Sequence, residues 1–396
     1  MITALSWIPR GVTPRVLEQC NTTNEEMDRY LAIIQGKQEV PAQQPQLSEE
    51  DAEIISKYDL DNYDNDDAND EGVPEGVEPE DPYQTHENNE EGDGDVSEDD
   101  EIRTDDFLLI VGKYGEEIPT LEIHLFDEKQ ETMYVHHELM LPSFPLAIKW
   151  MDYEPQTGKE GSFAAVSSMR NEIEIWNLNV EDPICPSAVL QYHQNSVPGL
   201  SWNMLQRSVL LSASIDGTAA IWSLESLQTA ATYNIGAECK SAEWSQVNPT
   251  VFAIATNSGI QGFDAREGNV FNVMPNVSVE SMIWSTDGTQ IMSSLTSGDI
   301  VAFDVRNIDS PLFQFKAHQG AVNCISLARN APIVASVGED EQCKIWALGE
   351  GQPKLIADDD MKVGQIFTCL FCPDKPTLLA VGGESGTALW DIANLL

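Results

Sequence analysis

The stretch Ser212-Ala213-Ser214-Ile215-Asp216-Gly217-Thr218-Ala219-Ala220-Ile221-Trp222-Ser223-Leu224 decides the fold. Two short apolar runs flank an Asp-Gly pair, which reads as two strands joined by a hairpin turn, and the second run ends on a Trp suited to burial. An aromatic stands at the same point of a similar run in Phe126, Trp176, Phe263, Phe303, Trp346 and Trp390, so the successive steps are 50, 46, 41, 40, 43 and 44 residues. A period of about 40–45 residues with such an ending is the sequence mark of the four-stranded propeller blade. Seven marks predict seven blades and an all-β chain.

A second ladder keeps step with the first in Trp150, Trp202, Trp244, Trp284, Leu327 and Phe371, each at the end of an apolar run that should form the innermost strand of a blade. Trp7, in Ala4-Leu5-Ser6-Trp7, copies Gly199-Leu200-Ser201-Trp202, so the N-terminus is expected to be the inner strand of blade one. All nine tryptophans then fall on two repeat positions. No single sheet can bury two such faces alone, and stacked neighbouring sheets are the physical reason for the pattern.

Two repeats carry a resemblance. From Tyr192 to Trp222 and from Ala317 to Trp346 the sequence resembles the WD repeat, which implies that His193, Ser212, Asp216 and Trp222, and likewise His318, Ser336, Asp340 and Trp346, form hydrogen-bonded structural tetrads. Where those repeats have Asp, six residues before the aromatic, the others have Thr120, Arg170, Asn257, Ser297 and Glu384, so only the apolar pattern supports them. A narrower resemblance lies in Val135-His136-His137-Glu138-Leu139-Met140-Leu141-Pro142-Ser143-Phe144-Pro145-Leu146, in Lys57-Tyr58-Asp59-Leu60-Asp61-Asn62-Tyr63-Asp64 and in Trp7-Ile8-Pro9-Arg10-Gly11. In order along nearly the whole chain, these are similar to the periodic tryptophan protein 1 family. The resemblance implies a nucleolar factor of large-subunit ribosome assembly and pre-rRNA processing, with a link to chromatin and rRNA-gene transcription as the alternative. Members usually continue past the last blade, whereas this sequence stops at Leu396.

Charge sets the partner class. The chain has 66 acidic and 21 basic side chains, a net charge of −45, which repels nucleic-acid phosphate and favours basic proteins. Ribosomal proteins, assembly factors or histones fit, and pre-rRNA is expected to be reached through the particle rather than directly. From Glu49 to Asp106 there are 26 acidic residues against Lys57 and Arg103. So charged and apolar-poor a segment cannot offset its ordering entropy, and a disordered insertion within blade one is expected. It explains why Trp7 and Trp150 stand 143 residues apart. Tyr58, Leu60 and Tyr63, interleaved with Asp59, Asp61 and Asp64, are candidate partner-binding anchors. Ser97, followed by Glu98-Asp99-Asp100, is a candidate phosphorylation site. Thr22 to Ile34 has the capping and spacing of a short helix.

The expected division is therefore an N-terminal strand at 1–10, a short helix plus the acidic insertion at 11–106, and the propeller at 107–396. Blade seven has no clear fourth strand: either Asp391–Leu396 forms a short edge or Met1–Pro9 closes the blade, and the former is expected because Trp7 keeps the inner-strand register. The chemistry-bearing motifs mostly dissolve into structure. Cys369-Leu-Phe-Cys372 lacks a second pair and reads as buried structural cysteine, and His136-His137 with His124 lacks ligands at metal spacing. The residue types of a catalytic triad in His193, Ser212 and Asp216 are better explained by the blade network. No cofactor, metal, small-molecule substrate or enzymatic activity is expected. No run approaches the roughly 18 apolar residues of a membrane span, and the seven cysteines do not suggest a disulfide framework, so a soluble intracellular protein, nuclear and nucleolar by the resemblance, is expected.

Overall fold

In the computed structural model, which describes residues 1–20, 101–115, 118–274, 276–349 and 351–395, the chain forms a seven-bladed β-propeller. Blade one pairs Ile2–Ile8 with Phe107–Tyr114, Pro119–Asp127 and Thr132–Met140 in that order. Blade two runs outward from Pro145–Tyr153 through Glu160–Ser168 and Glu172–Asn177 to Ala188–Gln191. Blades three to six start at the inner strands Gly199–Trp202, Cys239–Trp244, Val279–Trp284 and Val322–Leu327, and each has four antiparallel strands. Blade seven contains Ile366–Phe371, Leu378–Gly383 and Thr387–Asp391.

Each blade lies between two others, so its second and third strands are covered on both faces. That is why they read as continuous apolar runs rather than alternating ones: Phe107 to Val111 are all buried, as are Ala219 to Trp222. The inner strands touch in sequence round the ring, and Ile366–Phe371 touches Ile2–Ile8 to close it. Closure therefore depends on a strand that precedes its partner by about a hundred residues of sequence: Leu5 pairs with Val111, Ser6 with Ile110 and Trp7 with Leu109. Trp7 is 4 % exposed and its indole N–H donates across the seam to the Leu370 carbonyl at 3.0 Å.

A backbone feature recurs that residue types do not announce. The pairing of the first two strands shifts register at the start of six inner strands, between Ile2/Ala4, Pro145/Ala147, Cys239/Ser241, Val279/Ser281, Val322/Cys324 and Ile366/Thr368. Such bulges add twist, which suits short strands packed round an axis. Turn chemistry matches the sequence: Gly217 (φ 80°), Gly288 (φ 66°) and Gly298 (φ 89°) take the left-handed backbone. At Gly298 a Cβ would also stand 2.4 Å from the His318 carbonyl oxygen.

Two expectations are corrected. The expected edge strand at Asp391–Leu396 does not form over its described residues, since Asp391 ends the third strand, Ala393–Leu395 is a 3₁₀ turn and blade seven has three strands among the described residues. The physical reason is visible at Ile392, which is fully buried and takes the chain inward through its N–H bond to the Thr377 carbonyl. The end of the acidic segment, Glu101 to Asp106, is also ordered where disorder was expected. Ile102 is 5 % exposed and joins the core of blades one and two, and its N–H bonds the Arg15 carbonyl at 2.9 Å. Glu18–Gln19 pairs in parallel with Val180–Glu181 on blade two. The helix at Thr22–Ile34 and the rest of the acidic insertion lie outside the described residues.

Trp7→Ala should lower the unfolding free energy by about 3–5 kcal/mol, the cost of a buried aromatic and of leaving the Leu370 carbonyl without its donor. Chemical denaturation of the variant measures it, with Thr3→Ala, which loses a half-buried hydroxyl shared between the Pro145 and Gly112 carbonyls, expected to cost about 1 kcal/mol.

Candidate functional site

Ser212 and Ser336 are both fully buried in second strands, directly opposite the third strands that carry Trp222 and Trp346. In blade six the chain of donors is fixed by chemistry, because a carboxylate only accepts. His318 Nδ1–H donates to Asp340 Oδ1 at 2.7 Å, Ser336 Oγ–H donates to His318 Nε2 at 2.8 Å, and the Trp346 indole N–H donates to Ser336 Oγ at 2.8 Å. Blade three departs from this in one respect. Ser212 Oγ links Trp222 Nε1 (2.8 Å) and His193 Nε2 (2.7 Å) in the same way, but His193 Nδ1 meets Thr218 Oγ1 at 3.0 Å, and that hydroxyl donates to Asp216 Oδ1 at 2.6 Å. Thr218 is thus a fifth member that the reading of the sequence missed, although it sits in the quoted Asp216-Gly217-Thr218 turn.

Burial holds both imidazoles below their ordinary pKa, against the opposing pull of Asp216 and Asp340. Burial would raise Asp216, yet the Gln194 and Thr218 N–H groups and the Thr218 hydroxyl hold it below the usual carboxylate range. His193 and His318 are 2 % and 1 % exposed, and the serine hydroxyls are sealed from solvent and engaged on both sides. A nucleophile in that position has no substrate to reach, so the arrangement orders the blade.

The surface with the composition of a binding site is the mouth of the central channel, where the inner strands end. A cavity of about 310 Å³ is walled by Trp7, Trp150, Trp202, Trp244 and Phe371, with Lys149, Glu243 and Arg329 among them. Met204 and Leu205, on the loop after the blade-three inner strand, are 59 % and 52 % exposed at its rim. Four inner-strand indoles have acceptors: Trp7 the Leu370 carbonyl, Trp150 Ser162 Oγ, Trp202 the Arg207 carbonyl and Trp284 the Glu243 carbonyl. The buried Trp244 Nε1 has none. The chain leaves the first strand of blade one beside this mouth, since Pro9 is one of its walls.

The seams between blades reveal a second set of residues that the sequence reading passed over. An inner strand has a free edge, and its N–H groups need acceptors. Ser6, Ser201, Glu243 and Ser326, each the residue before a ladder position, supply them: they accept from the backbone N–H of Trp150, Trp244, Trp284 and Phe371, all at 3.0 Å. The recurring signal was Ser or Glu before Trp or its substitute. Burial raises the Glu243 carboxyl to about 7, with Lys149 and the Trp284 N–H pulling the other way.

The remaining motifs are part of the framework. His136 Nδ1 and His137 Nδ1 are 3.0 Å apart on the outer strand of blade one, and burial with the neighbouring His136 lowers the His137 pKa to about 4. His124 Nε2 meets Glu122 at 2.8 Å, and Lys113 bonds the same carboxylate at 2.6 Å. Cys369 and Cys372 are buried thiols; the hydrogen bond with Cys324 and burial hold Cys369 well above its ordinary pKa, and burial takes Cys372 to about 11. Tyr58, Asp59, Leu60, Asp61, Tyr63, Asp64 and Ser97 lie outside the described residues.

Residues 309–347, which contain the second tetrad, match the WD domain, G-beta repeat family model. An uncharacterized WD repeat-containing protein of Schizosaccharomyces pombe is 29 % identical over 88 % of this chain and 75 % of its own length. The periodic tryptophan protein 1 homolog of Drosophila melanogaster is 26 % identical over 99 % of this chain and 94 % of its own, and periodic tryptophan protein 1 of Saccharomyces cerevisiae is 23 % identical over 99 % and 88 %. Over nearly its whole length the chain is thus similar to periodic tryptophan protein 1, a likeness that supports a WD-repeat protein of that kind. Its fold is shared more widely: a chain in a crystal structure of the mitotic checkpoint complex superposes with a TM-score of 0.59 at 16 % identity, over 72 % of this chain and 83 % of that one. WD propellers generally mediate protein–protein interactions, and among the described residues no helix is long and apolar enough to cross a membrane.

Two outcomes test the site. Ser212→Ala leaves a buried indole N–H and an imidazole nitrogen unpaired, and should cost about 1–3 kcal/mol in a denaturant titration, with Ser336→Ala costing the same. The second concerns pH. A carboxyl whose folded pKa is about 7 against an ordinary 4.5 holds more protons folded than unfolded in that window, so its contribution to stability falls as pH rises from 4.5 to 7. Glu243→Gln keeps an acceptor for Trp284 N–H without that charge. Its melting temperature relative to the unsubstituted chain should rise between pH 5 and pH 8, as read by thermal scans.

Proposed function

We propose that the chain is a non-enzymatic nucleolar scaffold of large-subunit ribosome assembly and pre-rRNA processing. The propeller presents rigid rims to proteins, and the acidic segment engages basic ones such as ribosomal proteins and assembly factors. The observation that carries this reading is the near-full-length likeness to periodic tryptophan protein 1 of fly and yeast, spanning 99 % of this chain in both. The net charge of −45 supports protein rather than RNA as the direct partner, because phosphate is repelled over most of the surface. In this reading pre-rRNA co-purifies through the particle, and sealed hydroxyls and imidazoles in the tetrads serve stability.

Mechanistically, charge and apolar anchors divide the work. Exposed ion pairs contribute roughly 0–1 kcal/mol each and are screened beyond about 8 Å at physiological salt, so carboxylates alone give fast, salt-sensitive attachment. Tyr58, Leu60 and Tyr63 supply apolar contacts that salt does not weaken.

Affinity purification of the chain followed by sequencing of bound RNA should recover large-subunit precursors. Recovery of histones without rRNA would contradict the assembly role and favour a chromatin factor acting on rRNA genes. With the recovered partners in hand, calorimetry at two salt concentrations should show that neutralising Asp93 to Glu101 weakens binding at low salt only. Tyr58→Ala with Tyr63→Ala should weaken it at both.

A further inference from the structure

Among the described residues blade seven has three strands, and the burial of its outermost one differs from that of the other blades. The central residues of the third strands Glu172–Asn177, Thr218–Ser223 and Asp299–Asp304 are buried, whereas every residue of Thr387–Asp391 is half-buried or exposed. The third-strand aromatics Trp176, Trp222, Phe263, Phe303 and Trp346 are 0–7 % exposed. Only Phe126 and Trp390 are left half-buried, and the two flank the outer edge of that strand: Trp390 lies on the strand itself, Phe126 on the third strand of the next blade round the ring. Thr387 Oγ1 is in addition buried without a hydrogen-bond partner.

The molecule shows elsewhere what fills this position. At three seams an aromatic on or just after one blade's outer strand packs on the third-strand aromatic of the next: Tyr192 on Trp222 at 6.5 Å, Tyr233 on Phe263 at 5.3 Å and Phe315 on Trp346 at 4.7 Å between ring centroids. Among the described residues the ring contact of Phe126 is with Phe107 of its own blade, at 6.0 Å. Blades seven and one are already tied together beside this edge, because Lys375 Nζ bonds Asp391 at 2.6 Å on blade seven and Glu128 at 2.7 Å on blade one.

We propose that the outer edge of Thr387–Asp391 is a strand-addition site for an extended segment of a basic partner protein, carrying an aromatic residue that packs on Phe126. No described strand pairs with this edge, so its backbone donors and acceptors give attachment without sequence preference, and the half-covered ring supplies the preference. The charge of −45 selects a basic segment over an acidic one. The proposal rests on the scaffold reading only in taking a protein as the occupant.

Amide hydrogen exchange of the full chain, with and without a probe peptide, tests it. The probe copies residues 228–234 with a lysine added at each end. In the free chain the Thr387–Asp391 amides not bonded to Leu378–Gly383 should exchange at least about tenfold faster than those of Thr218–Ser223. Saturating peptide should slow them by about tenfold or more. A peptide with Ala in place of its tyrosine should bind about tenfold more weakly, one with alternate backbone amides methylated should give no protection, and Phe126→Leu in the protein should shrink the tyrosine preference below about threefold. Edge amides already as protected as Thr218–Ser223, whether by a second copy or by another segment of the chain, would overturn the proposal. So would a peptide that fails to bind at millimolar concentration or binds without slowing these amides. A chain that binds the peptide but recovers no rRNA would remove the ribosomal role and leave the strand-addition site standing.

Discussion

Face-to-face burial between neighbouring blades is the constraint on which everything else depends. A four-stranded sheet that is apolar on both faces has nowhere to put them unless another sheet lies on each side, and the only finite arrangement in which every sheet has two neighbours is a closed ring. The core clusters reflect this, since each spans two blades: Ile110 and Leu121 of blade one pack with Val166 and Trp176 of blade two, and Ile2, Trp7 and Leu109 of blade one with Leu378 and Ala380 of blade seven. The last contact depends on the N-terminal strand, so a chain with a long interruption after residue 8 still folds as one ring. Hydrogen bonding then follows burial. Free inner edges take side-chain acceptors from the preceding blade, and the buried Trp–Ser–His chains satisfy groups that the packing has removed from water.

The parts of this fold that depend on composition were legible in the sequence. Trp222 and its counterparts gave the number of blades, because large aromatics at a fixed period can only be core. Ser6-Trp7 beside Ser201-Trp202 placed the N-terminal strand. What could not be read depends on backbone geometry or on neighbours remote in sequence. The inner-strand bulges have no residue signature, and the seam role of Ser6 or Glu243 appears only when the next blade's N–H is located. Blade seven misled because Asp391 to Leu396 is long enough for a short strand, while the burial of Ile392 sets a different path. Ile102 lay inside a run of acids whose average charge hid one core residue.

Function was legible to a different depth. The tetrad side chains are close together, and their burial assigns them to structure on physical grounds, although Thr218 joins them between His193 and Asp216. The tryptophan-lined mouth combines residues from all seven blades and was not visible as a unit, since its walls are spaced from Trp7 to Phe371 along the chain. The family resemblance supplied the biological setting, and the excess of carboxylates supplied the class of partner.

The central claim is that residues 2–8 are an integral inner strand of the ring, paired with Phe107–Tyr114 and packed on blade seven. Hydrogen exchange of the Leu5 to Ile8 amides in the native chain tests this most directly. Protection equal to that of the Phe107–Tyr114 amides, lost only with global unfolding, is the predicted result. Exchange of Leu5 to Ile8 within seconds, while the rest of the propeller remains protected, would contradict it.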